Sequence, residues 1–276
     1  MLFRSGARVE LTFGARLYAE GTSQEPITFT STRDGRFGDG GTFQTMALGD
    51  NSLESLRGDW GGLIAGFGAT LSLDHAEIIG AGGATRIEGG FGSFNPVEAH
   101  QADLRIANSR FEDNADGRGF INDPRDPTFE RVGRSDNASG TVFVRGSQPV
   151  ITENQFIDGN GPAMTFDLNS FTWQEVIDQG RSTGLLDAAN VFGNSGPLIS
   201  GNQIGASREN TLDPSVPAGD PVNRNYAPFD AKEQNNPVDD NGDLVIASLL
   251  GLEVRGGEVT AGLVLDDVDI VHIVRD

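Results

Sequence analysis

The chain has 276 residues, a formal net charge of −20, no cysteine and one lysine, Lys232. Such a charge argues against a nucleic-acid partner, whose phosphates would repel it. The missing cysteines exclude a disulfide framework, and no run reaches the roughly 18 apolar residues of a helical membrane span. The length admits one large β domain or two average ones. An acidic, lysine-poor surface fits solubility, adaptation to salt, or calcium sites.

Met1-Leu2-Phe3-Arg4 leads almost directly into strand-like sequence, so no signal peptide is expected in this stretch. The expectation is an excerpt of a longer secreted chain. Val9-Glu10-Leu11-Thr12-Phe13, Ala15-Arg16-Leu17-Tyr18-Ala19 and Pro26-Ile27-Thr28-Phe29-Thr30-Ser31 alternate as short strands separated by a Gly turn. Residues 32–59 are rich in Gly and Asp, lack periodicity and read as an inserted loop. Trp60-Gly61-Gly62-Leu63-Ile64 then resumes the strand pattern.

From there one six-residue frame recurs: an aliphatic, two corner residues, a small or amide residue, a spacer and a large apolar residue. It fits Leu73–Ile78, Ile106–Phe111, Ile151–Phe156, Ile199–Ile204 and Leu265–Ile270. Recurrence of this kind marks a solenoid, in which each unit buries its apolar face against the next. Strand side chains have a period of two, so positions 4 and 6 share a face, and position 1 needs a bend to join them. Position 3 reads His75, Asn108, Glu153, Gly201 and Asp267. All but Glu153 are types that enter a left-handed backbone conformation cheaply. Asn154 and Asn202, at position 4, then face inward and need partners, most simply by stacking along the solenoid axis. The alternative is that they are turn residues facing water.

The spacing predicts one continuous domain over 1–276 with further insertions at 112–140 and 205–243, the latter carrying five prolines between Pro214 and Pro237. A short helix is expected around Trp173–Ile177, after Ser170. Strands are expected again at Leu244-Val245-Ile246 and on to Val274.

The runs "GARLYAEGT…PITFTS", "GDWGGLI", "LSLDHAEI", "NGPAMTFDLNS" and "GLEVRGGEVT…LDDVDIVHIV" resemble right-handed parallel β-helix repeat proteins of pectin-lyase-like fold. The resemblance covers most of the chain. It implies an all-β solenoid and a place in a large extracellular or cell-surface bacterial protein. It is weak for activity, because this architecture hosts lyases, hydrolases, esterases, adhesins and plain scaffolds. Terminal rungs of such a stack, unless capped, present unpaired backbone groups and favour end-to-end self-association.

Asp74-His75 resembles the Asp-His element of pectate lyases, and the run Arg125–Arg131 misses their Arg-x-Pro-x-x-Arg pattern by one residue. In that comparison calcium-bound carboxylates work with an Arg that abstracts a proton. Asp266-Asp267 resembles the paired Asp of polygalacturonase-like hydrolases, whose other motifs are absent here. On the residues alone, His75 reads better as a corner residue than as a ligand. Asp239, Asn241 and Asp243 place oxygen donors at alternate positions, as calcium loops begin, but the Gly and Glu positions of an EF-hand do not follow. The other reading of 239–243 is a free-standing acidic turn.

Two functions compete. One is a non-enzymatic structural or adhesion module touching polysaccharide or surface proteins through its loops. The other is a carbohydrate-active enzyme, either a calcium-assisted lyase using Asp74 and His75 with Arg125 or Arg131, or a hydrolase using Asp266 and Asp267. The sequence favours the module. If 239–243 binds calcium, melting in calcium rather than chelator rises for the wild type, and the rise is lost in Asp239→Asn/Asp243→Asn. An unchanged wild-type midpoint removes the calcium site.

Overall fold

The computed structural model describes residues 1–37, 57–117, 136–157, 159, 161–172, 174–182, 193–206, 251–255 and 272–275. The chain opens with β1 (Leu2–Phe3), β2 (Val9–Leu11), β3 (Arg16–Glu20) and β4 (Ile27–Ser31). There follow β5 (Leu63–Ala65), β6 (Thr70–Asp74), β7 (Ala76–Ile79) and a hairpin of β8 (Ala84–Ile87) with β9 (Gly90–Ser93). Next come β10 (Val97–His100), β11 (Asp103–Ala107) and β12 (Arg110–Glu112), then β13 (Val142–Arg145), β14 (Val150–Thr152) and β15 (Gln155–Ile157). A fifth group holds β16 (Met164–Asp167), a hairpin of β17 (Glu175–Ile177) with β18 (Gly193–Ser195), β19 (Leu198–Ser200) and β20 (Gln203–Ala206). The last are β21 (Leu252–Arg255) and β22 (His272–Arg275).

These strands make three parallel sheets, so the protein is all-β. The first sheet runs β2-β5-β10-β13-β16-β21-β22, the second β3-β6-β11-β14-β19, and the third β1-β4-β7-β12-β15-β20. The chain visits first, second and third sheet in turn, and each circuit pairs with the one before it. The two hairpins, β8–β9 and β17–β18, are antiparallel additions. The second replaces the expected short helix: Glu175–Ile177 is a strand because pairing with Gly193–Ser195 satisfies its backbone, and the 3-10 turn lies earlier, at Leu168–Ser170. The strand expected at 244–246 and the frame at 265–270 lie outside the described residues, as does most of each expected insertion.

The recurring frame corresponds to columns in register. Leu73, Ile106, Ile151 and Ile199 align down the second sheet, and Ile78, Phe111, Phe156 and Ile204 align down the third. All eight are buried in one apolar cluster. Phe111 and Phe156 stack with centroids 4.9 Å apart and planes 6° apart, so each column packs flat on the next circuit.

Between the two columns the backbone turns through position 3. His75, Asn108, Glu153 and Gly201 have φ of 47, 49, 57 and 66°, so even Glu153 takes the left-handed conformation. Its carboxylate lies over Gly201, where an added Cβ would come within 2.2 Å of it and push the exposed Glu153 side chain aside. Leaving the strand ladder at the corner strips the next amide of a backbone partner. The position 4 side chain of the following circuit supplies one. Ser109 Oγ accepts from the Ala76 amide at 3.1 Å, Asn154 Oδ1 from Ser109 at 2.8 Å, and Asn202 Oδ1 from Asn154 at 3.1 Å. Asn154 Nδ2 in turn donates to Ile106 O at 3.0 Å, and Asn202 Nδ2 to Ile151 O at 2.8 Å. Asn154 is fully buried and Asn202 half-buried, and the ladder they form is the one the sequence implied.

The same device closes the other two corners. After the third sheet, Gly80 and Asp113 are left-handed and Asn114 Oδ1 accepts from the Ala81 amide at 2.8 Å. After the first sheet, Gly14, Gly68, Gln101 and Gly146 are left-handed and Ser147 Oγ accepts from the Ala102 amide at 3.0 Å. Replacing Asn154 with Ala orphans the buried Ser109 N–H and removes the side-chain bonds to the Ile106 carbonyl and to Asn202. We expect a loss of about 2–4 kcal/mol in denaturant unfolding, larger than for the half-buried Asn202→Ala.

Candidate functional site

On β6, Leu71 and Leu73 point into the core, so Ser72 and Asp74 point outward. Register aligns two outward columns on the second sheet: Tyr18, Ser72, Arg105, Val150 and Leu198, and beside it Glu20, Asp74, Ala107, Thr152 and Ser200. Outward residues normally meet water. Yet Asp74 is 0 % exposed and Ser72 only 5 %.

Asp74 is the centre of a closed network. Its Oδ1 lies 2.6 Å from His75 Nδ1 and accepts from Asn108 Nδ2 at 3.2 Å, while Oδ2 accepts from Arg105 Nη1 at 2.7 Å. The remaining face of the Arg105 guanidinium grips Asp178 with Nε at 2.8 Å and Nη2 at 3.2 Å. Burial alone would weaken the Arg105 charge, but hydrogen bonds to Asp178 and Asp74 outweigh it and raise its pKa. Burial likewise pushes the Asp178 carboxyl up, and the bonds from Arg105 and the Gly180 amide more than reverse this, holding it below its ordinary value.

A second tie lies one strand beyond β6. Glu20 Oε1 accepts from Ser72 Oγ at 2.7 Å and from the Ser182 amide at 3.0 Å, and Oε2 accepts from Ser182 Oγ at 2.6 Å. Burial opposes ionisation of Glu20, but the Ser182 and Ser72 bonds and the Arg181 charge win, and its pKa is lowered. Residues 178–182 therefore cross the sheet from β11 to β3, over β6.

A different charged group occupies the outer face of the first sheet. Asp167 bridges Arg255 Nη1 at 3.1 Å and Arg145 Nε at 3.3 Å, and Asp136 bridges the same two arginines. Burial holds Asp167 above its ordinary pKa despite those two cations, with repulsion from Asp136 acting in the same direction. On the same face His100 Nε2 contacts Glu98 Oε2 at 2.9 Å, and Glu98 Oε1 accepts from the Asn95 amide at 2.8 Å.

Of the residues singled out in the sequence, Asp74 and His75 are brought together, with His75 at a corner. Arg125, Arg131, Asp239, Asn241, Asp243, Asp266 and Asp267 lie outside the described residues. Sequence reasoning missed Arg105, whose place between core-facing Leu104 and Ile106 marks it as outward. It missed Asp178 too, for which the sequence holds no signal. An imidazole held by a carboxylate through Nδ1 leaves Nε2 free to act as a base, the arrangement used in proton transfer. Among the described residues no three His, Asp or Glu side chains converge so as to hold a metal ion. Comparison with protein-family models, curated proteins and solved structures finds no match to this chain.

The pH response of the network follows from these shifts. Asp178 and Glu20 have depressed pKa values, so their contribution is present above the ordinary carboxylate range and lost as pH falls through their folded values. Asp167 acts oppositely: its raised pKa favours the fold at low pH, an effect lost as pH rises through the folded value. Asp178→Asn should therefore cost about 1 kcal/mol at neutral pH, because solvent screens part of the pair. That difference from wild type should shrink as pH falls below the ordinary carboxylate range, measured by denaturant unfolding across the range.

Proposed function

We propose that the chain is a right-handed parallel β-helix of pectin-lyase-like type, serving as a non-enzymatic structural or adhesion module of a large extracellular or cell-surface bacterial protein. Three parallel sheets entered in turn, with apolar columns in register, support the architecture. One observation carries the functional reading: the buried Asp74 carboxylate has both oxygens held, by His75, Asn108 and Arg105. Arg105 is itself bidentate on Asp178. The side chains best suited to acid–base work are joined to one another across successive circuits, as braces are. Polysaccharide or neighbouring surface proteins are then contacted by the loops, with calcium at 239–243 as a stabilising ion.

The half-exposed His75, oriented by Asp74 at 2.6 Å, favours a second reading, a carbohydrate-active enzyme. Incubation with uronate-containing and neutral polysaccharides, followed by double-bond absorbance and reducing ends, separates the two. The module reading expects no turnover in any mixture, and Arg105→Met lowering only stability. Turnover that disappears in His75→Ala, with the fold intact by circular dichroism, establishes the enzyme instead.

A further inference from the structure

The cover over Asp74 holds no buried residue. From Gln174 to Ser182, none of the eight residue positions between and including Glu175 and Ser182 is buried, nor is Gln174 itself, and Ile177 is 41 % exposed. The apolar anchors stand at the roots of the segment. On one side Leu168 and Phe171 pack against the core, with Phe171 5.5 Å from Phe166, and on the other Leu198 is buried. Among the described residues between the roots, the hold on the second sheet is polar: Arg105 on Asp178, and Glu20 on Ser182 with Arg181 donating to the Glu20 carbonyl. From β11 to β3 is two strand spacings, about 9.6 Å, and four extended residues reach about 13 Å, so the crossing is spanned without strain. Segments with few buried apolar contacts open at low free-energy cost while the core stays closed.

We infer that residues 174–182 form an electrostatically latched strap, which opens locally from the second sheet and uncovers a polar floor of Ser72, Asp74, His75 and Arg105 while the three-sheet body stays folded. The inference stands apart from the functional reading above, since a strap of this kind serves a scaffold or an enzyme equally. It makes the floor conditionally accessible, with the Arg105–Asp178 pair as the latch. Around Asp178 the charged groups are Arg105 of β11, Asp74 of β6 on the far side of that guanidinium with His75 beside it, and Glu20 of β3 with Arg181 of the strap. Both latch carboxylates ionise below their ordinary range, so the strap is held at neutral pH and released only in strongly acidic solution.

The absence of native cysteine allows a direct test. Ser72→Cys places one thiol on the floor, and its rate of labelling by iodoacetamide reports opening of the full chain. We expect slow labelling at neutral pH, accelerating about tenfold when Asp178→Asn is added and again with Glu20→Gln, each with a fall in global unfolding free energy no larger than the roughly 1.4 kcal/mol that a tenfold change represents. Hydrogen exchange read in parallel should quicken over 174–182 and leave β7, β12 and β15 protected. Labelling that is fast from the start, or unchanged by both latch variants, overturns the strap. So does labelling that rises only in step with exchange across all three sheets, which is global unfolding.

Discussion

At five corners of this fold the amide after the left-handed residue is met by a side chain of the next circuit, and the register of the structure depends on how those amides are satisfied. A strand ladder pairs every N–H with the neighbouring circuit, but a residue turned into the left-handed region breaks the alternation, and the amide after it faces inward. An unpaired buried N–H costs about 1–3 kcal/mol, so each such amide needs a partner, a side chain at these corners and a backbone carbonyl after Gly14 and Gly68. Ser109, Asn154, Asn202, Asn114 and Ser147 are those caps. Each sits one circuit along from the amide it serves, so it also fixes the register of the next circuit.

Register then decides the rest. Links made by these caps join residues 33, 45 and 48 apart in sequence, and the differences are absorbed by segments inserted between strands. Because the columns align regardless of insertion length, the chain carries hairpins and long connections without disturbing Phe29, Ile78, Phe111, Phe156 and Ile204, which stay aligned down one face. The stack tolerates elaboration at its sides because its coherence comes from contacts between successive circuits.

The outer faces follow a different rule. The chain has 40 acidic against 20 basic residues, and several covered charges are tied in ion-pair networks: Asp74 and Asp178 with Arg105, and Asp136 and Asp167 with Arg145 and Arg255. A buried charge is tolerated only when paired and hydrogen-bonded. Buried ionic pairs add little net stability compared with apolar packing, which leaves the segment across the second sheet less firmly held than the core beneath it.

The sequence by itself determined the all-β class, the apolar columns and the ladder of Asn154 and Asn202, because these rest on a short pattern that every circuit repeats. It left the other two corners unseen, since Gly68, Gly80 and Gly146 look like ordinary turn glycines until their left-handed backbone and the caps beside them are known. It misjudged the segment after Ser170, where a helix-like stretch became a strand once residues 193–195 came alongside to satisfy its backbone. Only the tertiary structure decided the network around Asp74. Arg105 and Asp178 are 73 residues apart, and Glu20 and Ser182 are 162 apart, on elements with no shared period. Local pattern dictates which face a side chain takes, but whether that face meets water depends on which distant segment lies across it.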